Sequence, residues 1–417
     1  MDKKKISKKQ TTGGIFDGLR VVELALFAAV PTTGRVLASM GAEVILIQSN
    51  TAIDEGWLPP PWGSGLIIRN RLVTKKSVSL NVRKPEAHEI LRELIGISDI
   101  FMTNLTIETL KSWGLDFRSL RKMKDDLIIL WQNAFGGTGP YTGYRAYGML
   151  TQYSSGVAQM SGTPEMPAST DPPYSDLHTA MFGALAVVSA IERRRRTGKG
   201  TLIECALNDT GVVTAGPAIL DYQANGRLPV RMENKDPYAA PHGAYPCRGY
   251  DRWCLLAVGS DAEWQSLCSA IGNPPWTKRL EFATLTDRLR NVDEMDRLVA
   301  EWTISREAAE VMEMMQAAGV PAGIVAQGMD LAQSEHLKSR GYYKDTRYII
   351  PEFGKPGMEW AEGEPIICIS EPIHFSETPC RFYPMPRIGQ DNDYVFGELL
   401  GISRDKISAL TKDGVLE

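Results

Sequence analysis

LRVVEL at residues 19–24, ALFAAVP at 25–31, TTGRVLASM at 32–40 and GAEVILI at 41–47 form the stretch that decides the fold. LRVVEL and EVILI are short, apolar and β-branched, so both read as buried strands. Pro31 stands near the start of the segment between them, and Gly41 follows its end. That is the usual punctuation of a helix. A strand, a helix and a strand in so short a span should leave the two strands parallel. The alternation continues outward. KKSVSLNV at 75–82 reads as a strand, 85–95 as a helix and 99–102 as a strand. Residues 108–113 read as a helical turn, and LIILW at 127–131 as a further buried strand. The first 135 residues thus read as a doubly wound α/β sheet.

The rest of the chain is patterned differently. GGTGP at 136–140 is a turn cluster. Asp176 precedes a strongly apolar helix over 177–193, which closes on Arg193 to Arg196 and a Thr-Gly-Lys-Gly stop. RLPVRMENKDPYAAPHG at 227–243 is polar and reads as a linker. RWCLLAV at 252–258 is a strand, followed by helical patterns at 261–271 and 292–316. Short strands and prolines follow from about residue 341, and a closing helix lies near 393–400.

The 417 residues are 43% apolar and 23% charged, with a formal net charge of −4. The length exceeds one small core and the composition is that of a globular protein. A nucleic-acid partner is disfavoured, because such proteins usually carry a basic excess. The first fourteen residues, MDKKKISKKQTTGG, are basic with no apolar run behind them. They read as a solvated tail and not as a secretory signal. No segment reaches the roughly 18–20 apolar residues of a bilayer span. None of the six cysteines forms a C-x-x-C pair and only five histidines are present, so no zinc or dithiol motif is expected.

Two readings of Asp176 are open on spacing. It is a helix N-cap, the commoner role, or it is a nucleophile. A helix N-terminus should lower its pKa, and an ionised carboxylate can attack an acyl carbonyl. Arg193–Arg196 with Lys199 read as cations on a helix C-terminus, with Gly198 as the cap. His178 should point away from Asp176, and His242 should be solvent-facing or bonded to backbone. The first strand–helix loop has no glycine and the second strand ends at Gln48, so a redox dinucleotide site is not expected. No Gly-x-Ser-x-Gly elbow is present.

Several segments together resemble the class III CoA-transferases, the family named after the carnitine and bile-acid enzymes. They are FDGLRVVEL-x6-P at 16–31, GAEVILI at 41–47, KKSVSLN at 75–81, DIFMTN at 99–104 and GTGPY at 137–141. Gln152 to Gly156, YSDLHTAMFGALAVVSAIERRRRTGKG at 174–200, AGVPAG at 318–323 and IGQDN at 388–392 complete the set. The resemblance implies transfer of CoA from an acyl-CoA donor, succinyl-CoA among the candidates, to a carboxylic acid. Asp176 would be the nucleophile and would carry CoA as an aspartyl-CoA thioester. It implies CoA contacts at Ala28, Ala29, Leu80, Asn81, Val82, Arg83, Asn104, Leu105 and Arg145, with Arg83 and Arg145 facing phosphates. It implies no metal and no redox cofactor, while charge, apolar-run length and the cysteine pattern lead to the expectation of no nucleic-acid or membrane partner and a cytoplasmic protein.

The implied fold is an α/β Rossmann-like large domain from both chain ends, with a smaller α+β domain, in an interlocked ring dimer. The boundaries expected are 1–14 for the tail, 15–225 and 336–417 for the large CoA-binding domain, and 226–335 for the small one. Ala28, Ser49, Ser112 and Gly148 depart from the family, which often has polar, basic, basic and acidic residues there. A homodimer and a heterodimer with a homologous chain therefore both stay open. So does a weakly active or structural subunit. An acyl-CoA racemase shares the fold, but its histidine would fall at Tyr147. Tyr147, Met149, Tyr153 and Met160 suggest a bulky or aryl-bearing acceptor acid over oxalate.

Overall fold

The computed structural model describes residues 13–49, 70–166, 174–351 and 360–417, without the side chains of 347–351 and 360–366. Most of the basic tail lies outside the described residues. Two compact units are present. One comprises residues 1–158, 170–228 and 336–417, and the other 159–169 and 229–335.

The first unit is built on a six-stranded parallel sheet. Its strands are β1 (Arg20–Leu24), β2 (Glu43–Gln48), β3 (Lys76–Ser79), β4 (Ile100–Thr103), β5 (Ile128–Asn133) and β6 (Thr201–Ala206), in the order β3-β2-β1-β4-β5-β6. Helices α1 (Ala29–Ser39), α2 (Pro85–Gly96), α3 (Ile107–Ser112), α4 (Phe117–Met123), α5 (Gly148–Ser154), α6 (Tyr174–Thr197), α7 (Leu207–Thr214) and α8 (Gly216–Asn225) accompany it. Every residue of β1 is buried, because helices cover both faces of the sheet. Val22, Ile45, Phe101 and Ile129 share one core with Leu91 and Leu110. Val21, Val44, Met102 and Leu130 share another with Val30, Leu37 and Val187. That is the period of two expected of strands buried on both sides.

Pro31 is the third residue of α1, where the backbone N–H has no helical partner to lose. Gly41 ends the segment at φ +108°, a conformation that favours glycine. Strand β6 was not evident in the sequence. It is an edge strand, exposed on alternate residues, and Glu204 interrupts its apolar run. The opposite edge, β3, is capped by side chains from far along the chain. Asp391 Oδ2 accepts from Ser77 N at 2.8 Å and Asn392 Oδ1 accepts from Ser79 N at 2.9 Å.

Helix α6 corrects two expectations. It begins at Tyr174, so Asp176 lies inside its first turn and not at its N-cap. It is also long and apolar enough, by length and composition, to cross a membrane, with a mean hydropathy of 1.2 over 18 residues. Alanine and valine raise that mean without forming an unbroken apolar run. In the fold, Asp176, Thr179, Gly183, Val187 and Ala190 lie on its buried face.

The second unit holds a three-stranded sheet of β7 (His242–Pro246), β8 (Trp253–Ala257) and β9 (Ala322–Ile324), all antiparallel neighbours. Helices α9 (Asp261–Ala270), α10 (Val292–Thr303) and α11 (Ala308–Ala317) pack with it around Trp264, Phe282 and Met295. The pattern over 292–316 is therefore two helices, separated at residues 304–307. Back in the first unit, β10 (Tyr343–Pro351) pairs with β11 (Trp360–Ile369). The closing segment is a π-helical stretch at Asp393–Leu399, and α12 (Arg404–Lys412) follows it.

Candidate active site

The first turn of α6 is held rigidly. Ser175 N donates to Gln152 Oε1 at 3.0 Å, and Ser175 Oγ donates to the Gly148 carbonyl at 2.8 Å. Thr179 Oγ1 donates back to the Ser175 carbonyl at 2.6 Å, and Gln132 Nε2 donates to the Thr179 carbonyl at 2.7 Å. Helix α5 and strand β5 thus fix the backbone on either side of Asp176.

Asp176 itself is 8% exposed. Burial pushes its pKa up to about 6, against the pull of the Arg71 charge and its own backbone N–H. The expectation of a lowered pKa is therefore corrected. Position at a helix start favours the ion, but loss of hydration outweighs it. A carboxylate of this basicity is still largely ionised at neutral pH. It is also a stronger nucleophile than an exposed one.

The loop after β1 stands at the topological switch point. Its helix α1 packs in one core and α3, after β4, packs in the other. Ligands of open α/β sheets bind outside the strand ends at such a point. Asn104 clamps the loop by both ends of its amide, accepting from Leu26 N at 3.2 Å and donating to the Leu26 carbonyl at 2.7 Å. Phe27 sits at φ +66°, unusual for an aromatic residue. Arg71 Nη1 donates to its carbonyl at 3.3 Å, and its ring meets Tyr147 edge-on at 4.9 Å.

The ten residues singled out from the sequence fall into distinct places. Ala28, Ala29, Asn104 and Leu105 gather at the switch point, and both alanines are buried. Leu80, Asn81, Val82 and Arg83 follow β3 at the far edge of the same sheet end. Three strand spacings, roughly 14 Å, separate β3 from β4. Leu80 is wholly buried, and its backbone N donates to the Gln48 carbonyl. Asn81 has its backbone N on the Val415 carbonyl and its side-chain amide between Gly414 O and Arg83 N. These two residues shape the loop. Arg83 and Arg145 are exposed and present cations. Ser49, where the family often has a base, donates to Glu417 Oε2 at 2.8 Å.

Other candidates resolve into structural roles. His178 is half-buried and its Nδ1 meets Thr214 Oγ1 at 3.1 Å, while His242 Nδ1 lies on the Asn234 carbonyl. Arg193 donates to the Lys199 and Gly200 carbonyls, Arg194 pairs with Asp99, and Arg195 and Arg196 pair with Glu192. Among the described residues no cluster of three metal-ligating side chains is present.

Sequence reasoning missed Arg71 as a partner of Asp176, because nothing in local spacing links them. It also missed the buried pair Lys75–Glu23. Lys75 Nζ donates to both Glu23 oxygens and to the Pro31 carbonyl, each at 2.8 Å. The available signal was an acid in the middle of the apolar run LRVVEL. Gly34 exists for this pair, since a Cβ there would sit 1.8 Å from Glu23 Oε2.

Comparison with known proteins assigns the chemistry. The family model of CoA-transferase family III matches residues 16–392. The chain belongs to that family. As a family III CoA-transferase it moves CoA from an acyl-CoA to a carboxylic acid. It is 28% identical to a succinate–glutarate CoA-transferase of Agrobacterium fabrum, over 93% of this chain and 96% of the relative. It is 26% identical to the succinyl-CoA–L-malate CoA-transferase beta subunit of Chloroflexus aurantiacus, over 96% and 97% respectively. The crystal structure of a CAIB/BAIF family protein from Brucella suis superposes with a TM-score of 0.83 at 27% identity. That match covers 93% of this chain and 100% of the other.

Proposed function

We propose that Asp176 is the nucleophile and carries CoA between the two acids. The observation behind this reading is a buried carboxylate with a pKa near 6 in a fixed helical turn, with Arg71 as its counter-charge. The Asp176 carboxylate attacks the donor thioester carbonyl, the C–S bond breaks and CoA leaves as thiolate. A mixed anhydride results. The thiolate then attacks the aspartyl carbonyl, giving aspartyl-CoA thioester and free donor carboxylate. The acceptor carboxylate attacks that thioester, expels the thiolate and forms a second mixed anhydride. The thiolate finally attacks the acceptor carbonyl, giving the new CoA ester and restoring Asp176. Atoms and charge balance over the cycle with no net proton or electron transfer. Burial keeps water from the anhydrides, which would otherwise hydrolyse.

CoA lies along the sheet end, from the Ala28–Ala29 and Asn104–Leu105 loops toward Leu80–Arg83, with Arg83 and Arg145 on its phosphates. The two relatives' names support a dicarboxylate chemistry with succinyl-CoA as donor. Exposed Tyr147, Met149 and Tyr153 offer apolar surface that suits an acceptor larger than oxalate. A racemase is disfavoured because Tyr147, in contact with Phe27, stands where that chemistry needs a histidine.

The assembly is proposed as a dimer, with a second copy or a homologous chain. Leu177, Met181, Leu185 and Val188 form an exposed apolar stripe along one face of α6, which a partner would cover. The relative named as a beta subunit keeps the heterodimer in view. All six cysteines are free, which fits a reducing cytoplasm. The deciding experiment is hydroxylamine capture of Asp176 in the presence of succinyl-CoA, with Asp176→Asn as control. A panel of acids then names the acceptor. Full turnover by Asp176→Asn overturns the reading.

A further inference from the structure

Gln152 lies on α5, one helical turn beyond Gly148, and is 1% exposed. Its Oε1 accepts from Ser175 N, the residue before Asp176. Because that partner is a backbone N–H, the acceptor end of the amide must face it, and the orientation of the group is fixed. Its Nε2 is buried and has no hydrogen-bond partner among the described residues. An orphaned buried donor has lost its water without gaining a partner, and native proteins seldom leave one without reason. The amide width places this donor within about 5 Å of the Ser175 backbone.

The transfer proposed above develops negative charge on oxygen four times, as each carbonyl beside Asp176 becomes tetrahedral. Neutral N–H donors fixed in a dry site stabilise such oxyanions, and removing one typically costs about 10²–10³ in turnover. Among the described residues, three positions near Asp176 offer no free side-chain donor. Residue 148 is glycine, residue 28 is alanine, and Ser175 Oγ is committed to Gly148 O. Arg71 acts as a charge on the Asp176 ion, a ground-state effect different from a donor that gains a partner only when the oxyanion forms.

We propose that Gln152 is a catalytic residue whose side-chain N–H stabilises the oxyanion formed at the carbonyl beside Asp176. The inference rests on Asp176 being the nucleophile. Gln152→Glu keeps an acceptor for Ser175 N and removes the donor. Gln152→Met removes both and adds no charge. The assay uses the full chain with succinyl-CoA and its best acid, at the plateau of the pH profile, so that any change in Asp176 ionisation is separated from rate.

The expected result for both variants is a kcat lower by about 10²–10³, with the KM values of CoA ester and acid within about threefold. Capture by hydroxylamine should slow in the same proportion. A kcat within threefold of the parent in either folded variant overturns the proposal. So does a loss confined to KM or accompanied by a matching fall in melting temperature, because those mark a structural role. If Gln152→Glu does not fold, Gln152→Met decides by the same criteria. Failure of this inference is distinct from failure of the mechanism. An active parent with inactive Asp176→Asn and normal Gln152 variants rejects only the role of Gln152, whereas full turnover by Asp176→Asn rejects both.

Discussion

Glu23 and Asp176 are two buried acids in one unit, and burial drives both upward in pKa. Their surroundings differ. Glu23 meets Lys75 across two hydrogen bonds, and the third Lys75 donor closes on the Pro31 carbonyl. Burial pushes Lys75 downward while Glu23 pulls it back. The pair is complete and wholly enclosed. Among the described residues, Asp176 feels the charge of Arg71 and accepts no side-chain hydrogen bond. The first acid is neutralised within the fold, and the second is left reactive. A buried pair holds structure together, whereas a buried acid without a close partner stores the means of attack.

The largest expected effect breaks the second acid alone. Asp176→Asn should lower transfer about a thousandfold or more, with the fold unchanged by circular dichroism. Next comes the first acid's partner. Lys75→Met leaves Glu23 buried and unpaired and should destabilise by about 3–5 kcal/mol in denaturant titration. The double variant Lys75→Met with Glu23→Leu should recover much of that loss. If Lys75→Met melts like the parent, the contrast between the two acids is wrong.

A third experiment reverses the sign. Folded Asp176 keeps its proton to about pH 6, against 3.8 for an ordinary aspartate. Its ionisation therefore opposes folding as pH rises through that window. Asp176→Asn should be more stable than the parent by about 1–3 kcal/mol at pH 8, with the gain gone below pH 3.8. Charge reversal at exposed Arg83 or Arg145 should touch neither acid. It should raise the KM for the CoA ester about tenfold and leave kcat nearly unchanged, since the phosphates are remote from the reacting carbonyl. The smallest effect concerns Arg71. Parent kcat/KM should fall tenfold per pH unit below about 6, and Arg71→Gln should move that limb upward, because a charge favouring the ion is gone.

The central strands are legible because β1, β2, β4 and β5 are buried on both faces and appear as short, predominantly apolar runs. Pro31 and Gly41 marked the helix between the first two. β6 was not legible, since its alternation with Glu204 looks like loop, and α7 is short and rich in Thr and Gly. Asp176 was visible as an acid at a helix start. The direction of its pKa was not, because helix position is local in sequence while burial is made by α5, β5 and α1. Arg71 approaches from over a hundred residues away and left no trace in spacing. In the sequence Gln152 carries no signal beyond its place in the 152–156 segment, and its unpaired nitrogen is a property of the packed fold.

The capping of β3 has a consequence in time. Ser77 and Ser79 are covered by Asp391 and Asn392, 314 and 313 residues later in the chain. At a synthesis rate of about 5–20 residues per second, the covering residues emerge roughly 15–60 s after the strand. For that interval the nascent chain carries an open strand edge, able to pair with a neighbour on the same polysome. Yield in the cell should therefore respond to ribosome speed and to chaperones that hold nascent chains, even when the finished protein is stable.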